Sequence, residues 1–184
     1  MKKHDVLLWI GLFLCPGVNA QSEPAASRPH GRDHSASFDL HAPVGDFGKS
    51  QFIGAGISYS WSHHRFGSDI KAKLPGLTFN GGGDYYLGKK VTIANNPFHY
   101  GDYLYLYAAA GLMANTGENG NISLTAGPAM GLYRGNSDWG WTTRLFGTYY
   151  FRENIAVGPG VSYKKQDRET HSLWTVSLRV SYIF

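Results

Sequence analysis

The sequence predicts an all-β fold, a single closed up-and-down antiparallel transmembrane β-barrel of eight strands, and three observations support it. Apolar and small polar side chains alternate at two-residue spacing from about residue 35 to the last residue. The alternating runs are roughly 9–14 residues long, the length at which a tilted strand crosses a bilayer. Glycine, tyrosine and phenylalanine are abundant, with 24, 12 and 10 residues, while no later segment has the run of about 18 apolar residues that a spanning helix needs.

The beginning of the chain reads as an export signal. Lys2 and Lys3 precede the apolar run Val6–Leu14, and the small residues Val18–Ala20 suit a signal peptidase. We expect residues 1–20 to be a removed signal peptide, residues 21–34 a flexible periplasmic leader, and residues 35–184 the barrel. A lipoprotein signal built on Cys15 is the alternative, and it is disfavoured because a leucine precedes the cysteine.

Composition excludes several classes of function. The single cysteine lies in the predicted signal, so the mature chain would hold no disulfide, no thiol nucleophile and no thiolate metal ligand. The formal net charge is +4 and the charges are scattered, so no basic run indicates a nucleic-acid partner.

Eight segments show the strand pattern. The clearest is Phe52–Ser62, in which isoleucine, alanine, tyrosine and tryptophan alternate with glycine and serine. Turn residues separate the segments, and two connections, His63–Lys73 and Gly88–Asp102, are long enough to contain further structure, so ten strands remain possible. In chain order the segments are Ser37–Val44, Phe52–Ser62, Leu77–Leu87, Tyr103–Leu112, Asn121–Leu132, Trp139–Phe151, Asn154–Lys164 and Leu173–Phe184.

Three features indicate that the apolar face points outward. The other face carries glycine, serine, threonine and asparagine, which suit a narrow lumen better than a solvated surface. Strand charges fall on that small-residue face, where they can pair and plug the bore: Asp39, Asp84, Arg144, Lys164 and Arg179. Aromatic residues gather near strand ends, as in the girdles at membrane–water boundaries: Trp61, Tyr85, Tyr103, Trp139, Trp141, Tyr149, Phe151, Tyr163 and Tyr182.

The last strand is the most specific feature. Apolar residues occupy every second position up to the final phenylalanine: Val176, Leu178, Val180, Tyr182 and Phe184. This pattern resembles the C-terminal signature of outer-membrane barrels, and the chain from about residue 35 onward resembles the small outer-membrane β-barrel domain family (OmpX-like or porin-like) of Gram-negative bacteria. The segments FDLHAPVGDFG, LTFNGGGDYYLG and WTVSLRVSYIF carry the resemblance. It implies location in the outer membrane, with outer-membrane lipid and the barrel assembly machinery as partners.

Local clusters of reactive residues give little support to catalysis. Glu169-Thr170-His171-Ser172 contains an acid, a base and a hydroxyl, but neighbouring strand residues point to opposite faces. The pair His63-His64 lacks a third metal ligand nearby. We therefore expect no catalytic, cofactor-binding or metal-binding residues, and a structural or surface-interaction role. A narrow porin and a lipid A-modifying acyl hydrolase are the alternatives, and the long connection Gly88–Asp102 is the place to seek an extracellular partner.

Overall fold

A computed structural model describes residues 32–63, 75–117, 119–152, 154–166 and 172–184. The predicted signal peptide, most of the predicted leader, His64 and the cluster Glu169-Thr170-His171 lie outside these ranges.

The chain forms an antiparallel barrel of eight strands with one short helix and one small hairpin. The barrel closes because β1 pairs with β10, which confirms the predicted eight strands rather than ten. In chain order the elements are β1 Arg32–Val44, α1 Phe47–Ser50, β2 Gln51–His63, β3 Gly76–Gly88, β4 Lys90–Ile93, β5 Asn96–His99, β6 Tyr103–Gly117, β7 Gly120–Tyr133, β8 Asn136–Arg152, β9 Ile155–Gln166 and β10 Leu173–Ile183.

The start of the first strand and the connection between β3 and β6 both differ from the sequence expectation. The first strand begins at Arg32, three residues before the predicted start of the barrel, because Arg32 pairs with His63 at the end of β2. The connection between β3 and β6 contains the hairpin of β4 and β5. Its turn residues Ala94 and Asn95 have φ of 47° and 65°, as a two-residue type I′ turn requires.

The polarity of the barrel is inverted relative to a water-soluble protein. Ile57 is 70% exposed, Leu124 52% and Val180 46%, whereas Asp39 and Lys164 are fully buried. Strand neighbours alternate between the two faces, so the predicted outward orientation of the apolar face is correct. Among the described residues, no helix is long and apolar enough to span a membrane.

The two ends of the barrel differ. We call the end that carries α1 and the β4–β5 hairpin the hairpin mouth, and the end where β1 begins and β10 ends the terminal mouth. Phe184 extends the pairing between β1 and β10 at the terminal mouth, where its N–H donates to the His34 carbonyl at 2.9 Å.

The prediction that Tyr103 belongs to an outer aromatic girdle is wrong. Tyr103 is buried inside the barrel together with Tyr105 and Tyr107, which occupy the same face of β6. The outward face of that strand carries Leu104, Leu106, Leu112 and smaller residues instead. An aromatic residue near a strand end therefore marks a boundary only when its position in the alternation points outward.

Candidate functional site

The interior of the barrel contains a network of ion pairs centred on two carboxylates. Asp39 accepts a two-point interaction from Arg179 on the paired strand β10, with Nε to Oδ1 at 2.7 Å and Nη2 to Oδ2 at 2.8 Å. Arg144 reaches the same carboxylate across the lumen from β8, at 3.1 Å. Because all three side chains are almost completely buried, each carboxylate contact replaces water that the charges lost on folding.

The second carboxylate, that of Asp84, lies in the same row of paired residues as Asp39, because Gly56 of β2 pairs with both. Asp84 on β3 accepts from Lys164 Nζ at 2.8 Å, and Arg144 Nη2 lies 3.8 Å from its other oxygen. Arg144 therefore contacts both carboxylates and joins the two halves of the network. Strands β1, β3, β8, β9 and β10 all contribute, so the network ties opposite walls of the barrel together.

His41 lies next to the network and contacts it through both ring nitrogens. Its Nε2 lies 3.1 Å from Asp84 Oδ1, and its Nδ1 lies 2.7 Å from Ser177 Oγ. Both ring nitrogens of His41 therefore lie close to polar groups of the lumen.

Serine, histidine and aspartate in contact are the elements of a nucleophile, a base and an orienting acid. Here the three residues are sealed in the lumen, with 4%, 1% and 0% exposure for Ser177, His41 and Asp84. Asp84 is also neutralised by Lys164. The arrangement can hold a proton in place, but among the described residues it opens onto no cavity that would admit an ester.

The same residues do not fit a metal ion. Single ligand atoms of Asp39, His41 and Asp84 lie within 4.8 Å of one another. Both carboxylates, however, are occupied by arginine or lysine. A divalent cation would have to displace these groups. The carboxylates therefore act as the negative partners of the ion-pair network, and they do not form a metal site.

Aromatic rings surround the buried cations. The Arg179 guanidinium lies 3.7 Å from the centre of the Phe146 ring, and Arg144 lies 4.0 Å from that of Tyr107. Lys164 Nζ lies 4.4 and 4.5 Å from the rings of Tyr86 and Tyr105. Such contacts stabilise a desolvated cation by about 2 kcal/mol or more. Two of the three inward tyrosines of β6, Tyr105 and Tyr107, thus contact buried cations.

A hydrophobic cluster closes the hairpin mouth above the ion pairs. Phe47 of α1 turns into the barrel and packs edge-on against Tyr86 and Tyr103, with ring centres 4.9 and 5.8 Å away. Leu173 and Ala129 belong to the same cluster. The short helix α1 therefore forms a stopper, which we call the Phe47 stopper, in series with the ion pairs.

The terminal mouth is different, because a polar cavity of about 60 Å³ opens there. Arg179 lies at its inner end and most of its wall consists of hydroxyl and amide side chains. The described residues that line it are Ser35, Ser37, Ser60, Ser62, Thr78, Met113, Asn121, Ser123, Thr148, Tyr150, Ala156, Arg179, Ser181 and Ile183.

The structure brings together the five strand charges that the alternation placed on the inner face, Asp39, Asp84, Arg144, Lys164 and Arg179. Sequence reasoning did not single out His41 and Ser177 as part of this set. His41 could have been found, because it lies two residues after Asp39 on the same face of β1. Ser177 could not, because it is one of many inward serines and only the register of β1 with β10 places it opposite His41.

The other sequence-predicted sets lie at separate places on the surface. Tyr85, Trp139, Trp141, Tyr149, Phe151 and Tyr182 are exposed, whereas Trp61 and Tyr163 are half-buried. Tyr163 packs on Trp174, with ring centres 4.8 Å apart. The residues Val176, Leu178, Val180 and Tyr182 point outward along β10, and Phe184 follows as an exposed ring at the terminal mouth.

Solved structures with a similar chain path are small outer-membrane proteins. Ail, the attachment invasion locus protein of Yersinia pestis, superposes with a TM-score of 0.55 at 13% identity, covering 83% of this chain and 97% of Ail. The outer membrane enzyme PagL gives 0.54 at 15% identity, covering 82% and 98%. Neisserial surface protein A gives 0.50 at 14% identity, covering 83% and 97%.

This chain has the fold of the small eight-stranded outer-membrane barrels. The predicted resemblance is thus confirmed for the fold, and identities of 13–15% extend it no further. No protein-family model matches the chain, and no curated protein matches its sequence.

Proposed function

We propose that the protein is an integral outer-membrane barrel with a structural or surface-interaction role and no catalytic activity. The observation that carries the proposal is the inverted polarity of the wall: large apolar side chains are exposed around the barrel, while Asp39, Asp84, Arg144, Lys164 and Arg179 are buried inside it. Soluble monomers rarely expose a continuous apolar patch above a few hundred Å². In a bilayer the same belt is covered by acyl chains, and the closed sheet leaves no strand edge unpaired in lipid.

The arrangement of the interior supports a role at the surface over a role in transport. An eight-stranded barrel has room inside only for its side chains. The Phe47 stopper and the ion-pair network lie one behind the other along the bore. Solutes would have to displace both, so we place the activity of the protein at its mouths.

The hairpin mouth offers the surface for an interaction. Ile93 and Phe98 are 52% and 40% exposed on the β4–β5 hairpin. The Arg134 guanidinium lies 5.7 Å from the centre of the Phe98 ring and donates to the His99 carbonyl at 2.8 Å. This contact holds the hairpin against the β7–β8 turn, so the two apolar side chains are displayed on an anchored element.

Fractionation of cells that express the full chain tests the proposal. We expect the protein in the outer-membrane fraction, and we expect its gel mobility to differ between unheated and heated samples, since a closed barrel resists detergent until it is heated. Recovery of the native protein from the soluble periplasm, with no change on heating, would contradict the proposal.

The sealed Ser177, His41 and Asp84 make the acyl hydrolase the rival that most needs a direct test. Mass spectra of lipid A from cells with and without the protein should be identical. A lost acyl chain that is restored by Ser177→Ala would show that the protein is a hydrolase.

A further inference from the structure

The charges inside the barrel do not balance. Arg144, Lys164 and Arg179 contribute three positive charges, and Asp39 and Asp84 contribute two negative ones. These five side chains therefore carry a net charge of +1. An uncompensated charge in a low-dielectric interior is costly unless a counter-ion approaches it.

Arg179 is the place where a counter-ion can approach. Its side chain is 10% exposed, compared with 1% for Arg144 and 0% for Lys164, and it lines the cavity of the terminal mouth. Its Nε and Nη2 are engaged by Asp39 and Ser58. The guanidinium carries five donor hydrogens in a rigid plane, and these three described contacts use three of them.

Hydroxyl groups around the cavity supply further donors. Ser37 and Ser181 contact each other at 2.8 Å, and one hydrogen suffices for that bond, so the second hydroxyl hydrogen can point to a ligand. Ser60 accepts from the Asn80 amide at 2.6 Å and keeps its own hydrogen. The described lining residues include no carboxylate, so the wall favours an anion over a cation.

The size of the cavity limits the ligand. A volume of about 60 Å³ corresponds to about four water molecules, since each needs roughly 10–15 Å³. A tetrahedral oxyanion with five heavy atoms is of this size, whereas a sugar phosphate is too large to enter fully. The Phe47 stopper blocks the far end of the bore, so a ligand enters and leaves on one side.

We propose that the terminal mouth is a binding site for a small free oxyanion such as phosphate or sulfate, with Arg179 at its base and Ser37, Ser60 and Ser181 as hydroxyl donors. The site lies at the opposite end of the barrel from the β4–β5 hairpin. It is independent of the surface role proposed above and does not require transport.

Titration of the purified, isotope-labelled barrel with inorganic phosphate in a non-ionic, phospholipid-free detergent tests the site. We expect saturable backbone amide shifts at Ser35, Ser60 and Ser181 and none at Gln51 or Tyr103 near the hairpin mouth. Sulfate should compete, and binding should weaken with added sodium chloride because part of it is electrostatic. Shifts that do not saturate, or that appear equally at both mouths, would overturn the proposal.

A pair of matched serine variants keeps the test specific while leaving Arg179 in place. Ser181→Ala removes a hydroxyl from the cavity wall and should weaken phosphate binding about tenfold, the effect of a hydrogen bond worth about 1.4 kcal/mol. Ser162→Ala removes a buried inward hydroxyl that does not line the cavity, and should leave binding unchanged. Both variants must show the heat-dependent gel shift. Equal affinities in the two folded variants would contradict the assignment of the site.

A lipid headgroup presents the same chemistry, so a second titration uses short-chain phosphatidylglycerol. The proposal for a free ion requires inorganic phosphate to bind in the absence of this lipid. Binding of phosphatidylglycerol without binding of inorganic phosphate would overturn it in favour of a headgroup site.

Discussion

Single glycines decide whether aromatic rings fit inside the lumen. A Cβ built on Gly160 of β9 would lie 2.2 Å from the Phe146 ring, and one on Gly54 of β2 would lie 2.4 Å from the Tyr86 ring. Both rings contact buried cations, so the missing side chains make room for the cation–ring contacts. At these two positions, glycine on the inner face therefore leaves the space that the aromatic rings occupy.

Gly160→Ala should therefore destabilise the barrel. The added methyl group must displace the Phe146 ring from Arg179, and overpacking of this kind costs about 1–3 kcal/mol. Gly147→Ala is the matched control, because its Cβ would meet nothing closer than 4.0 Å. Urea unfolding in detergent micelles, followed by the gel shift, measures both variants, and equal midpoints would contradict this account of the ring contact.

Asp39→Asn should have a larger effect. The substitution leaves Arg144 and Arg179 buried without their shared carboxylate, and breaking a buried ion pair typically costs about 3–5 kcal/mol. Asp46→Asn is the control, since the Asp46–Lys49 pair at 2.7 Å is 54% and 78% exposed and solvent screens it. The same unfolding measurement should separate the two variants clearly; a similar small loss for both would show that the network does not stabilise the fold.

At this scale the sequence predicts which side chains are inside but not which ones meet. Alternation places Asp39 and Arg179 on the inner face of their strands, and both are there. The pairing of Asp39 with Arg179 depends on the register between strands 140 residues apart in the chain. The same limit applies to the contact of His41 with Ser177. Tyr103 is a different case, because its position in the alternation of β6 points inward although it lies at a strand end.

The β4–β5 hairpin is the element that the alternation pattern did not resolve, and it is anchored at its base. The Asp102 carboxylate accepts from the Gly88 N–H at 2.8 Å and from the Tyr85 hydroxyl at 2.5 Å. It thereby fastens the chain leaving β3 to the chain entering β6. These contacts join the two ends of the connection Gly88–Asp102, and the sequence, which identifies this segment only as a long connection, gives little indication of them.

This anchor predicts a pH dependence at the hairpin mouth. The Gly88 N–H and then the Tyr85 hydroxyl stabilise the charged carboxylate and lower the pKa of Asp102 below the ordinary 3.8. The anchoring interaction is therefore complete above the ordinary pKa of 3.8, and it is lost as the pH falls through the lower pKa that Asp102 has in the folded protein. The Gly88 amide shift should titrate with a midpoint below 3.8 and should cease to titrate in Asp102→Asn. A midpoint at or above 3.8 would mean that the anchor is not formed in solution.

In the whole molecule, the bore of the barrel is closed at two levels, by the Phe47 stopper and by the ion-pair network. The exterior pattern, the strand number and the inward charges could be predicted from the sequence because alternation and strand length are local properties. Closure at the hairpin mouth could not, because it depends on how α1 folds back and inserts Phe47 between Tyr86 and Tyr103.

Closure in series makes a specific prediction for ion conduction. The wild-type protein in planar bilayers should show no stable conductance steps, and neither should Phe47→Ala, because the ion pairs of Asp39 and Asp84 still fill the bore when the Phe47 stopper is removed. Bilayers with detergent alone and with a known porin provide the baseline and the positive control. Large, reproducible steps from the wild-type protein would overturn the sealed interior and favour a narrow porin. Steps from Phe47→Ala alone would show that α1 is the only barrier and that the charged network conducts ions.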